Sequence, residues 1–214
     1  MLWSGDIEHE TQRRRETMLL VAEESANRAA SVLISAPVLL DVINSLIGLD
    51  PCTSRLSETI ELLPQFSTLA VINSDGVVRC STMEGAQGIS VADRDWYRDI
   101  RNSDVDFAQS AANFGTLTKL WMITSAKRRL NPDGSFGGAL VLSAPVEWLI
   151  YRLDRADLDK GSEIALADQT GRVFGSSHWE AFNPEIIASL GKGEGGFFTA
   201  PSSNGEQRDI AVVP

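Results

Sequence analysis

Ala70-Val-Ile-Asn-Ser-Asp-Gly-Val-Val-Arg-Cys-Ser-Thr82 returns later in the chain as Ala165-Leu-Ala-Asp-Gln-Thr-Gly-Arg-Val-Phe-Gly-Ser-Ser177. Ala, Gly, Val and Ser recur at the same places, and Val/Leu, Asn/Asp and Thr/Ser exchange at three more. Each copy reads as an apolar strand, a polar turn closed by Gly, then a second strand. The Gly is needed where the turn demands a positive φ that a side chain resists. A hairpin recurring once per small domain predicts a duplicated α/β module.

The flanks extend this reading. After the first hairpin, Met83–Ile89 forms a Gly-containing loop and Asp93–Ile100 a short helix with acidic residues at its start. Strands are predicted at Phe107–Ala111, Leu117–Ser125 and Ser135–Ser143, the last two joined by the turn Asn131-Pro-Asp-Gly134. Pro145 opens a helix over Val146–Leu153. The second copy starts at Glu163, with its hairpin to Ser176, a helix at Pro184–Leu190, and strands at Phe197–Ala200 and Asp209–Val213. It lacks a final strand. Upstream, Asp6–Ile34 has helical apolar spacing and Pro37 is expected to interrupt it. A second helix follows over Val38–Ile47, closed by Gly48, and a third over Thr53–Leu63, stopped by Pro64. The expected organisation is a helical region 1–50, a first module 51–157 and a truncated second module 158–214, with the boundary at Asp154–Lys160.

The chain has 214 residues and a formal charge of −10, which argues against a nucleic-acid or anionic-membrane surface. No stretch reads as a membrane span and no signal peptide is visible. Both ends read as cuts in a longer protein. Cys52 and Cys80 fit one disulfide or two free buried thiols. No metal-ligand spacing and no cofactor-binding motif appears. Hydrolytic chemistry would have to draw on His9 or His178, neither of which has a triad-like setting. The run Arg13-Arg14-Arg15 reads as a solvated helix face, and the small residues later in that helix suit packing on its own domain or against a second copy.

Several of these segments together resemble the double Cache sensor domains. The resemblance rests on the long N-terminal helix, the cysteine before the first hairpin and the Cys80-Ser81 that ends it. It continues through Val91-Ala-Asp-Arg-Asp-Trp-Tyr97, Arg128-Arg-Leu-Asn-Pro-Asp-Gly-Ser-Phe-Gly-Gly138 and the strand entering Pro145-Val-Glu-Trp-Leu149. It implies an α+β fold in which a long N-terminal helix precedes two PAS-like modules with antiparallel sheets. It also implies a periplasmic location, flanking transmembrane helices absent from this chain, and a Cys52–Cys80 disulfide.

In ligand-binding members the matching Arg and aromatics line the pocket of the membrane-distal module, which nominates Arg94, Trp96 and Tyr97. A guanidinium fork suits a carboxylate, and aromatic rings supply apolar walls. The alternative is that Trp96 and Tyr97 are core and Arg94 pairs with Asp93 or Asp95. On the strand Leu117–Ser125, alternation separates Lys119, Trp121, Ile123 and Ser125 from Leu120, Met122 and Thr124. Trp121 and Ser125 are taken as the pocket floor. Lys127, Arg128 and Arg129 read as a solvated strand end or an anion contact. Amino-acid-binding members carry an Asp after the strand where this chain has Pro145, which points away from an α-amino acid. The expected function is a periplasmic sensor that binds a small polar or carboxylate ligand, without a cofactor or metal. It would dimerise through the N-terminal helix and belong to a histidine kinase or diguanylate cyclase. The alternatives are a module that acts through a periplasmic partner protein and, remotely, a hydrolase.

Overall fold

A computed structural model describes residues 3–48, 51–103 and 105–151, and beyond these 164, 166–167, 173–174, 192, 195–201 and 207–213. They belong to two compact units, one of residues 31–149 and one of residues 1–30 with 150–214.

The first unit is built on a six-stranded antiparallel sheet. Its strands are β1 (Thr68–Ile72), β2 (Val78–Ser81), β3 (Phe107–Gln109), β4 (Asn113–Phe114), β5 (Trp121–Leu130) and β6 (Phe136–Pro145). The order is β2-β1-β6-β5-β3, with β4 also paired to β5. The predicted hairpin is β1–β2. Asn73 Oδ1 accepts from the Asp75 and Val77 amides, and Gly76 takes φ +81°. A Cβ on Gly76 would lie 2.7 Å from Ala92 Cβ, so the glycine also admits the segment that leads into the next helix.

β1 is buried along its whole length, and β6 through most of its own. Both faces of the sheet therefore need a cover. On one side Leu69, Val71, Leu140, Leu142 and Ala144 pack with Ala36, Leu40, Ile43 and Ile47 of α1 (Trp3–Ile47) and Leu56 of α2 (Arg55–Glu61). On the other, Ala70, Ile72, Ala126, Ala139 and Val141 pack with Trp96, Tyr97 and Ile100 of α3 (Asp95–Asn102). A fully buried Leu or Ile contributes about 1.5–3 kcal/mol, so each cover is held mainly by burial. α4 (Val146–Tyr151) follows β6 and buries Val146 and Leu149.

Three expectations are corrected here. α1 does not break at Pro37 but runs through it. Proline removes the amide that would bond the carbonyl four residues back, and that carbonyl, Leu33, accepts instead from Gln109 Nε2 at 3.5 Å. Secondly, β5 starts at Trp121 rather than Leu117, because residues 115–120 form a loop in which Lys119 has φ +55°. Thirdly, α1 contains an 18-residue window of mean hydropathy 1.9, long and apolar enough by composition to cross a membrane. One face of this segment is in the core. Ile34, Val38, Val42 and Leu46 on the opposite face are exposed.

α1 carries no basic residue in its last turn, and its closing carbonyls are capped from elsewhere in the chain. Arg55 Nη1 donates to the Leu46 carbonyl (3.1 Å), and Arg129 Nη2 donates to that of Gly48 (2.7 Å). These cations stand where the helix dipole favours them.

In the second unit, β7 (Leu166–Ala167) and β8 (Val173–Phe174) pair antiparallel where the repeated hairpin is expected. β9 (Gly196–Pro201) and β10 (Gln207–Val212) form a second antiparallel pair. Two of the three arginines read as solvated are engaged here. Arg14 Nη2 meets Asp209 Oδ2 at 2.6 Å, and the Arg15 guanidinium lies 4.6 Å from the centroid of the Phe197 ring. The helix expected at 184–190, the boundary at 154–160 and His178 lie outside the described residues.

Cys52 and Cys80 form the disulfide that the resemblance implies. It ties the segment before α2 to β2 across 28 positions. Reduction is expected to cost about 3–4 kcal/mol by freeing that loop in the unfolded chain. Thermal unfolding with and without reductant checks this, and an unchanged melting temperature with two titratable thiols would contradict the bridge.

Candidate ligand-binding face

The segment 86–92 runs along the edge of β2. The Val78 amide donates to the Ile89 carbonyl, the Gly88 amide to that of Val78, and the Val91 amide to that of Gly76. This lays the chain across the hairpin and delivers it to α3, whose N-cap residue is Arg94 in an extended conformation.

The three residues nominated there divide by role. Tyr97 is fully buried. Its hydroxyl shares one proton between the carbonyls of Ser74 (2.9 Å) and Asn73 (3.1 Å), which pins α3 to the hairpin turn. Burial raises the phenol's pKa against the opposing charge of Arg101, so it stays a donor at neutral pH. Trp96 stacks edge-on against it at 5.9 Å between ring centroids, and Phe136 does so from the other side at 6.0 Å. Both nominated aromatics therefore sit in the core that covers the sheet. Arg94 differs. Its side chain is 42% exposed, and its described partner is Asp93, with Nε 3.9 Å from Oδ1, too long for a hydrogen bond.

Trp121 and Ser125 do not join them, because both stand on the face of β5 turned away from α3. Ser125 pairs in register with Leu142, on the side covered by α1. It bonds Gln109 Nε2 at 2.8 Å, the same amide that reaches the Leu33 carbonyl. Trp121 has the same parity and stacks edge-on with Phe114 at 5.8 Å. The face towards α3 carries Met122, Thr124, Ala126 and Arg128. Alternation separates these two sets but cannot orient them when both faces of the sheet are apolar.

The basic cluster is structural on both sides. Lys127 Nζ meets Asp41 Oδ1 of α1 at 2.5 Å, and Arg129 Nε donates to Asn44 Oδ1 at 2.9 Å. Burial, and then the nearby Arg79, lowers the Arg129 pKa. From the opposite face Arg128 Nη1 donates to the Ser103 carbonyl at the end of α3 (2.6 Å), with its guanidinium 5.5 Å from the Phe136 ring centroid.

Sequence reading missed the polar residues within that opposite face. Thr68, Ser143 and Thr124 stand side by side on β1, β6 and β5. All three are buried. Thr124 Oγ1 and Ser143 Oγ are 3.2 Å apart, whereas Thr68 Oγ1 has no hydrogen-bond partner among the described residues. The available signal was a Thr or Ser at the end of an apolar run: Thr68 before Leu69–Ile72, Thr124 after Trp121–Ile123 and Ser143 after Ala139–Leu142.

No protein-family model matches the sequence, and no curated protein matches it. Solved structures do share the fold. The extracellular domain of rpHK1S-Z16, a protein named as a histidine kinase, aligns with a TM-score of 0.71 at 20% identity, covering 96% of this chain and 89% of that one. The periplasmic sensory domain of the Campylobacter jejuni chemoreceptor Tlp1 aligns with a TM-score of 0.69 at 12% identity, covering 95% and 90%. The ligand-binding domain of the C. jejuni chemoreceptor Tlp3, solved with 4-methylisoleucine, aligns with a TM-score of 0.61 at 17% identity, covering 94% and 86%. The chain thus has the α+β fold of extracytoplasmic sensor domains, as the resemblance to double Cache domains implies.

Tyr97→Phe is expected to lower stability by about 1 kcal/mol, through loss of the hydroxyl that ties α3 to two carbonyls of the hairpin turn. Arg94→Ala should stay within about 0.5 kcal/mol of the parent. Urea unfolding of the two variants separates these outcomes. Equal losses would make Arg94 a structural residue.

Proposed function

We propose that the chain is the periplasmic ligand-sensing domain of a bacterial membrane receptor. Unit 31–149 would take a small polar or carboxylate ligand on the α3 side of its sheet. The observation that carries this reading is Arg94, a half-exposed guanidinium whose described partner Asp93 stands too far for a hydrogen bond, placed at the start of the helix that covers the sheet. Trp96 and Tyr97 hold that helix in place beside it. A guanidinium so placed can bind a carboxylate bidentately. The shared fold with sensor domains, one of them solved with an amino-acid ligand, supports the class. The histidine kinase neighbours favour a kinase as the parent over a diguanylate cyclase.

Signalling would run through α1 in a homodimer. Ile34, Val38, Val42 and Leu46 recur every four residues on its exposed face, and a helix that is apolar on both faces is stable only when both are covered. A ligand that prefers one arrangement of the sensing unit would shift the population of dimer arrangements. A partner-protein reading draws support from Phe114, Leu117 and Leu120, exposed apolar side chains on or next to the β4–β5 loop.

A thermal-shift panel of small carboxylates, amino acids, amines and purines tests ligand binding. A stabilising carboxylate whose effect disappears in Arg94→Ala is the expected result, and a carboxylate that binds the variant equally well would remove Arg94 from the site. For the dimer, Val38→Lys with Val42→Lys should give a folded monomer in sedimentation equilibrium. Unchanged association would place the interface elsewhere.

A further inference from the structure

The Thr68–Ser143–Thr124 row has no structural reason to be polar. Its neighbours on the same face, Ala70, Ile72, Ala126, Ala139 and Val141, are all apolar and buried. Thr68, Ser143 and Thr124 are 7%, 9% and 8% exposed. A central strand position of this kind is filled equally well by Val, which has the shape of Thr without the hydroxyl. The Thr124 and Ser143 hydroxyls serve each other, and Ser110 Oγ accepts from the Thr124 amide at 3.0 Å and from Asn113 Nδ2 at 3.2 Å. Thr68 Oγ1 alone lacks a protein partner among the described residues of the row. A buried hydroxyl without a partner opposes folding.

We propose that this row is the polar floor of the ligand site and receives an uncharged hydroxyl or carbonyl group of the ligand rather than an ammonium. The proposal rests on the sensor reading above and names the chemistry of that same site. Thr68 Oγ1 can donate to or accept from a neutral oxygen function without further change. An ammonium brought onto three hydroxyls would stay charged and desolvated without a counter-ion. No Asp or Glu occupies β1, β5 or β6. Glu147, on α4 just past β6, has its Oε2 buried without a described partner, so the experiment must separate it from the row. A small hydroxy acid or keto acid has both features the face calls for, a carboxylate for Arg94 and a neutral oxygen for Thr68.

The test is calorimetric titration of the disulfide-bonded 214-residue chain with acids that differ only in hydroxyl against ammonium. The probes are L-lactate and L-alanine, L-malate and L-aspartate, glycolate and glycine. At least one hydroxy acid is expected to bind about tenfold tighter than its amino counterpart. Thr68→Val should weaken that hydroxy acid about fivefold, the worth of one hydrogen bond, and should raise the melting temperature of the unliganded chain. A lowered melting temperature with unchanged affinity would make the hydroxyl structural and overturn the proposal. So would preference for an amino acid that disappears in Glu147→Gln. Wild-type chain that binds hydroxy acids as tightly as Thr68→Val does would overturn the row alone. Wild-type chain that binds none of the six probes would overturn the hydroxy-acid proposal, while the sensor reading stands or falls on the wider thermal-shift panel.

Discussion

The constraint on which the sensing unit depends is a sheet apolar on both faces. β1 and most of β6 are buried throughout, so neither strand can border water on either side. Antiparallel sheets often leave one face solvated, but this one requires two covers, α1 on one side and α3 with its leading segment on the other. Burial supplies the attraction, and polar ties at the margins fix the placement. On the α1 side these are Gln109 to Leu33, Lys127 to Asp41 and Arg129 to Asn44 and Gly48. On the α3 side they are Tyr97 to the hairpin turn and Arg128 to Ser103. Burial alone leaves a helix able to slide along an apolar surface, while directional bonds at its ends set one register.

Features governed by local chemistry were legible in the sequence. The Gly76 turn, the Asn131–Gly134 turn and α3 follow from rules that act within a few residues. The course of α1 was not legible, because the answer to Pro37 lies on β3, where Gln109 takes up the stranded Leu33 carbonyl. Leu117 and Leu120 look like strand residues in a one-dimensional pattern. The tight loop through Lys119 instead leaves both of them exposed.

The candidate site was legible in part for the same reason. The motif Asp93–Tyr97 was found, and Arg94 and the two aromatics lie on the cover that the motif implies. Trp121 and Ser125 were chosen on β5 without knowing which of its faces looks towards α3, because that parity could not be resolved locally. Ser125 is as polar as Thr124, and only the pairing of β5 with β6 shows that Ser125 stands with Leu142 beneath α1 while Thr124 stands with Ser143 beneath the α3 side. Three isolated hydroxyls in three strands acquire a common meaning only once register aligns them.

That alternation also gives β5 its place in the proposed function. Thr124 and Arg128 look towards α3, whereas Lys127 and Arg129 hold α1 and Ser125 binds the Gln109 amide that reaches it. A group bound on one side and the long helix on the other are thus separated by a single strand. Coupling between sites is typically 1–3 kcal/mol. Each polar tie from β5 to α1 is worth about 1 kcal/mol. The two magnitudes match, so a ligand that altered one or two of these ties would shift α1 measurably without repacking the core. A signal carried by burial instead would have to move Leu40 or Ile43, packed against the sheet, and each of these contributes about 1.5–3 kcal/mol of burial, more than a single polar tie. The polar margin, rather than the core, is where this fold can be both stable and responsive.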